Sequence, residues 1–354
     1  MAYTTVNNPE LYFQSKIYTG NGSSRSITFD GSENMQPDWS WFKARSEAYN
    51  SALFDSVRGT TKLIRSNQNT AEETHSTTLT AFNSNGFSLG GGDAFTNANT
   101  VTYASWHWKA GTSFSNDASA TGVGSIDSSG SINTTAGFSI ITYTGTGSAA
   151  TFAHGLGAVP KMILFKKTSG SQGWGVYHAS IGNTGALALN TSDATDSTSN
   201  YFNNTSPTSS VVTVNTNNSV NNSGGTMIAY CFSEVKGYSK MGSYKGNGSS
   251  NGPFVYTGFK PSFFLVKGFS GTNAQYTGWT LYDNKRSPFN KTNKILRADT
   301  SDVEGTSAAI NFLSQGIKMK QGSDAMNDVN ITYLYYAVAE SPFVNENGVP
   351  NNAR

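Results

Sequence analysis

The chain carries one phrase three times, and that repetition limits its fold more than any other feature. It reads IYTGNGSS at Ile17–Ser24, TYTGTGSA at Thr142–Ala149 and SYKGNGSS at Ser243–Ser250. A proline and an aromatic run follow each copy: FDGSENMQPDWSWFKAR (Phe29–Arg45), HGLGAVPKMILFKK (His154–Lys167) and YTGFKPSFFLVKG (Tyr256–Gly268). Pro37, Pro160 and Pro261 thus stand at equivalent positions. Proline has no ladder donor and favours strand starts, so each marks the beginning of a core strand. A second shared block is ALFDSVRGTTKLIRSN (Ala52–Asn67), GVYHASIGNTGALALN (Gly175–Asn190) and TLYDNKRSPFNKTNKILRAD (Thr280–Asp299), each an aromatic strand, a polar turn and a second strand. The third block is a Gly-interrupted hairpin that ends in an apolar strand: VTYASWHWKAG, TMIAYCFSE or NITYLYYAVAE. A unit of this kind is roughly 90 residues long, the size of a small β-sandwich.

Strong helix formers are scarce, and apolar residues seldom recur at helical spacing. Short aromatic and β-branched runs between Gly/Asn/Ser clusters are the strand signature. The expectation is an all-β protein of three tandem homologous β-sandwich, jelly-roll-like units. Its boundaries fall at 1–16 (an N-terminal attachment segment), 17–110 (repeat 1), 111–137 (a Gly/Ser-rich linker with room for an extra strand), 138–236 (repeat 2), 237–345 (repeat 3) and 346–354 (a C-terminal tail). The long first linker and the short stretch Glu234–Met241 put units two and three together as a fixed pair, with unit one on a longer tether. Charged residues are 13% of the 354, yet 21 Phe, 17 Tyr and 6 Trp with a net charge of +2 exclude disorder. The surface is therefore polar and weakly charged.

The start MAYTTVNNPELYFQSK has neither the basic nor the apolar region of a signal peptide, and no apolar run spans a bilayer. LYFQS at Leu11–Ser15 is similar to a tag-removal site, but the required Glu is misplaced by one position, so the segment reads as native.

Chemistry-bearing candidates are few. A phosphate-binding Gly loop joins a strand to a helix, whereas each phrase here runs into another strand, which makes it a hairpin turn with glycine at positive φ. His75, His107, His154 and His178 show no metal-ligand spacing, and His107 between Trp106 and Trp108 points away from both rings, toward packing or solvent. Cys231, the single cysteine, lies in MIAYCF as a buried inert thiol. Carboxylate candidates for polysaccharide cleavage are Asp38, Asp55, Asp283 and the pair Glu72–Glu73. Asp55 and Asp283 each precede an arginine by three residues, Arg58 and Arg286, which suits an ion pair closing a turn; the second unit has His178 and Ile181 instead. The 24 lysines and arginines are scattered, which speaks against a nucleic-acid partner; the densest stretch is KTNKILR (Lys291–Arg297). Trp174 and Tyr276 lie in or beside loops and are the candidate glycan contacts, but both equally begin the next core strand, which favours packing. No catalytic, metal or cofactor-binding residue is expected.

The succession QPDWSWFKAR, FDSVRG, AFNSNGFSLG, YASWHWKAG, TAGFSIITYTGTGSAATFAHGLGAVPKMILFKK and FVYTGFKPSFFLVK resembles a repeat-containing family of virion structural proteins from marine tailed bacteriophages. The resemblance runs from Tyr18 to Phe343. It implies a tail-fibre-like or simply structural component displayed on the particle, with no cofactor and no catalytic residues. His107 stands where that pattern has a small or apolar residue. The expected function is a non-enzymatic, tail-associated virion protein contributing to host attachment. Its expected partners are other virion proteins, further copies of itself and a host surface glycan. A capsid-decoration protein and a glycan depolymerase are the alternatives.

Overall fold

A strand buried on both faces needs apolar side chains on both, and the three aromatic runs supply them. In the computed structural model, which describes residues 3–345 and 347–351, they are the strands Trp39–Ala44, Pro160–Lys167 and Phe259–Gly271. Each, the central strand of the four that the units share, lies in a larger antiparallel sheet with a common order. An opening strand (Phe13–Thr19, Phe138–Thr144 or Ser239–Lys245) pairs with the terminal strand (Thr102–Trp108, Thr226–Ser233 or Ile331–Pro342). The terminal strand pairs with the central one, and that with a short strand (Ala52–Asp55, Gly175–His178 or Thr280–Asp283). A small sheet accompanies each large one: Arg25–Ile27 with Gly86–Leu89 and Leu79–Asn83, Ala150–Ala153 with Val211–Val214, and Phe254–Tyr256 with Gly316–Met319 and Ile310–Leu313.

Alternation along the large-sheet strands divides their side chains between two cores. Phe42, Phe165 and Phe264 point into the core between their own two sheets. Trp39, Trp41, Met162, Leu164, Phe263 and Leu265 point the other way, and with Trp108, Phe232 and Tyr336 they form one core common to all three large sheets. At its centre only a void of about 10 Å³ is left, so the three faces interdigitate to native density. Trp39 stacks on Tyr230 at 4.7 Å, Trp108 meets Phe263 at 5.5 Å and Phe232 meets Tyr336 at 5.0 Å, so each pairwise seam has its own aromatic contact.

Several sequence expectations change here. Residues 111–137 are not a tether: Thr112–Asn116 and Ser128–Asn133 extend the second large sheet by two strands, joined through the short helix Ala118–Thr121. The first unit is not loosely held, since burying one large aromatic contributes about 2–3 kcal/mol and Trp39, Trp41, Trp106 and Trp108 all lie in the shared core. The N-terminal segment is docked: Val6 is 1% exposed in that core, Pro9–Leu11 forms a 3-10 turn and the opening strand already begins at Phe13. Of the C-terminal tail, residues 346 and 352–354 lie outside the described residues, while Asn351 hydrogen-bonds back to Ser341 and Pro342. Pro160 opens its strand and Pro37 stands two residues ahead of one, but Pro261 sits at a bulge inside Phe259–Gly271. In the second unit the third-block hairpin is reduced to Val211–Val214, followed by the short helix Asn218–Asn221. Among the described residues no helix is long and apolar enough to cross a membrane.

Candidate functional site

The glycine phrase is a corner between sheets rather than a hairpin. It carries the chain from the large-sheet opening strand to the small sheet, or in the second unit to Ala150–Ala153. Both glycines are needed. A Cβ on Gly20, Gly145 or Gly246 would lie 2.1, 2.2 or 2.0 Å from the carbonyl oxygen of Ala98, Asn222 or Asp328, while Gly22, Gly147 and Gly248 have φ of +69°, +70° and +68°. A buried asparagine clamps each corner. Asn97 donates to Ser23 O and Gly90 O, Asn221 to Ser148 O and Asn215 O, and Asn327 to Ser249 O and Gln321 O. Their Oδ1 atoms accept the amide N–H of Asn21, Thr146 and Asn247. The backbone N–H groups at these three positions are thus engaged by protein.

The Asp–Arg pairs form as the spacing suggests, and they also reach between units. Asp55 Oδ2 accepts from Arg58 Nε at 2.6 Å and from Tyr230 Oη of the second unit at 2.7 Å. Asp283 Oδ2 accepts from Arg286 Nε at 2.5 Å and from Trp106 Nε1 of the first unit at 3.1 Å. His178 Nδ1 accepts the Ser180 N–H, which puts the proton on Nε2, and that atom donates to Tyr335 O of the third unit at 3.2 Å. Burial holds His178 down at about 4, so the ring is neutral. Burial also opposes the charge of Arg58, but Asp55, Tyr230 and Glu72 together hold it above the ordinary arginine value.

A second set, not picked out among the sequence candidates, lies at one position of all three central strands. Lys43, Lys166 and Lys267 are fully buried. Each ammonium donates to a backbone oxygen of a neighbouring unit: Lys43 to Thr300 at 2.6 Å, Lys166 to Asn69 at 3.4 Å and Lys267 to Ser192 at 2.9 Å. Burial pulls each down to about 8. Two residues on, the same loops pair again through Glu304 N to Arg45 O, Glu72 N to Thr168 O and Thr195 N to Phe269 O. Arg45 adds a two-pronged ion pair to Glu304 at 2.8 and 2.9 Å. These links run from first unit to third, second to first and third to second, so the cycle closes. The signal was available in WFKAR, LFKK and FLVKG, where one lysine recurs at one register position.

The remaining candidates are dispersed. Trp174 is 1% exposed, and its indole N–H donates to Arg65 O, so of its two sequence readings packing holds and glycan contact falls; the loop placement did not say that a neighbouring unit supplies the cover. Tyr276 is 69% exposed on a 3-10 turn at Ala274–Tyr276. His107 is buried between Ser40 and Ser105 and stacks on Phe87, and burial keeps it well below the ordinary imidazole value. Cys231 is buried, its thiol pushed up to about 12 by burial. Asp38 is buried and accepts the Ala110 N–H, with burial raising its pKa. Glu72 pairs with Arg58, and Glu73, which Arg65 and His75 hold down at about 2, pairs with both. Among the described residues no group of three or more His, Cys, Asp or Glu side chains is placed to hold a metal ion.

Fold and contacts together define an all-β protein whose three sheet pairs close on a shared core through buried polar links. The chain belongs to the family described as Domain of unknown function (DUF7483), whose model matches residues 8–342. No curated protein matches it.

Proposed function

We propose that this chain is a non-enzymatic structural protein of a tailed-phage virion, exposed on the particle, tail-associated or fibre-like, and contributing to host attachment. The observation that carries this reading is where the ionisable groups lie. The carboxylates a hydrolase would use, Asp55 and Asp283, are buried in links between units, while polar loops face outward on a rigid β scaffold, the arrangement suited to recognition. The resemblance to phage virion proteins supports the same reading. Duplication of one ancestral β-sandwich accounts for the equivalent glycine corners, lysines and Asp–Arg turns. Three such units around one core let a single chain match a threefold position in a symmetric particle.

A map of the phage particle at a resolution that traces side chains is the test. Density for this chain on the tail or its fibres is expected. Density on the head shell would replace attachment with capsid decoration, and absence from purified particles would overturn the virion reading. Release of reducing sugar from host polysaccharide, abolished by Asp55→Asn or Asp283→Asn in a variant shown to be folded, would overturn the non-enzymatic part.

A further inference from the structure

We propose that a strip of aromatic side chains on the third sheet pair, Phe254, Tyr256, Tyr3 and Phe343 with Lys240 and Lys236 over it, binds an acidic polysaccharide. This deepens the attachment reading and rests on it for the origin of the saccharide.

The strip is continuous. Phe254 and Tyr256, 47% and 50% exposed, share the outer face of strand Phe254–Tyr256, while Val255 between them points inward at 5%. Residues two apart on a strand are about 7 Å apart, so the rings offer two adjacent platforms. Tyr3 continues the row: its hydroxyl donates to Gly258 O at 2.6 Å, and a Cβ on Gly258 would sit 2.9 Å from that hydroxyl and 3.5 Å from the Tyr256 hydroxyl. Phe343 meets Tyr3 edge-on at 6.3 Å. Lys240 Nζ stands 5.0 Å from the centre of the Tyr256 ring and Lys236 Nζ 4.6 Å from that of Tyr3. No ion pair among the described residues uses either lysine; Lys240 Nζ donates to Tyr256 O at 3.0 Å, which holds its uncompensated charge over the strip. A groove of about 590 Å³ adjoins Tyr3 and Lys236; Thr5, Thr134 and Thr135 line it, as does Glu234, whose carboxylate accepts the Met241 N–H at 2.9 Å.

Architecture does not require these rings. The matching strands of the other sheet pairs, Arg25–Ile27 and Ala150–Ala153, place Ser26 and Thr151 where Phe254 stands. Three units share buried lysines, glycine corners and clamps, yet one alone turns aromatics outward, and an exposed apolar patch on one copy of a repeated scaffold marks an interaction site. The ligand chemistry follows from the groups. The C–H face of a sugar ring lies flat on an aromatic ring, carboxylates or sulfates answer the two ammonium groups, and sugar hydroxyls bond to the threonines of the groove.

The test is calorimetric titration of the purified chain with alginate and hyaluronan oligosaccharides, and with neutral dextran as control. An acidic oligosaccharide is expected to bind and dextran not. Phe254→Ser with Tyr256→Thr should weaken binding at least tenfold without changing thermal unfolding, because serine and threonine stand at Ser26 and Thr28 in the first unit. Lys236→Gln with Lys240→Gln should weaken it and flatten its salt dependence. Lack of binding to every acidic saccharide, or equal binding by the aromatic variant, overturns the proposal. So does a variant that keeps glycan binding but loses attachment to phage particles, since the strip would then dock a protein. Glycan binding by a chain absent from particles leaves the strip standing and removes the virion reading; a chain on particles that binds no acidic glycan does the reverse.

Discussion

Between pH 7.5 and 9.5 this protein is expected to become more stable, and the cause is the buried lysine triplet. Lys43, Lys166 and Lys267 are each held at about 8 by burial, against about 10.4 in an unfolded chain. Below pH 8 both states carry the protons, and the cost of burying three ammonium groups is fully present. Between pH 8 and 10.4 the folded chain has released protons that the unfolded chain still holds, so stability rises with pH, by up to about 1.4 kcal/mol per pH unit for each lysine. Over pH 7.5 to 9.5 the three contribute about 5 kcal/mol. Cys231, held at about 12, and the thirteen tyrosines that burial raises, Tyr143, Tyr230, Tyr238 and Tyr244 among them, act in the opposite sense. They offset about half of that gain, which leaves a net rise of about 2–3 kcal/mol. Urea unfolding followed by tryptophan fluorescence should show the midpoint moving up by nearly 1 M at a slope of about 3 kcal/mol/M. Lys267→Met should remove about a third of the lysine contribution. A midpoint that is flat or falls across this window, or a slope unchanged in Lys267→Met, refutes the reasoning.

Other outcomes follow from the same contacts. Asp283→Asn leaves Arg286 buried without its carboxylate and is expected to cost about 3–5 kcal/mol, read by urea unfolding; Asp283→Leu with Arg286→Met should recover much of the loss. Because the three large sheets share one core, calorimetry should give a single transition with calorimetric and van't Hoff enthalpies equal, and separate transitions for the units would contradict that core. Asn327→Ala strips the third glycine corner of its clamp and should cost about 3 kcal/mol, with faster amide exchange confined first to residues 246–250. In that corner Gly246→Ala meets Asp328 O at 2.0 Å and should be at least as damaging, so a neutral effect of either would show that the corner is not held as described.

Much of this architecture could be read from local pattern. Strand type, the repeated blocks and the Asp55–Arg58 and Asp283–Arg286 turns are written in short stretches, where spacing fixes geometry within a few residues. What lay outside the sequence was the second face of the large sheets. Trp39 and Trp108 read as core residues of one sandwich, and nothing local says that their partners are Tyr230 and Phe263 from other units. For Trp174 the start of a core strand favours packing but does not say which unit supplies the cover: a ring beside a loop is exposed only if no neighbour covers it, and here Arg65 does. The extra strand allowed for in 111–137 is there as Ser128–Asn133, and a second, Thr112–Asn116, joins it where a linker was expected, because serines and glycines can join an edge of a sheet while Phe114 and Ile132 pack as its partly buried residues. Phe254 and Tyr256 alternate around Val255 as strand residues do, and that alternation does not say which face is solvent.

The closing bond from Lys43 to Thr300 joins residues 257 positions apart. At about 5–20 residues per second a ribosome needs about 13–50 s to make that length of chain, and until the third unit is made Trp106 and Trp108 of the first large sheet lack their cover by Phe263. Newly made chain is therefore sticky until its last third arrives. Successful production of this protein should depend on holding that face apart from other nascent chains, through chaperones or slow, cool expression, more than on the stability of the finished molecule.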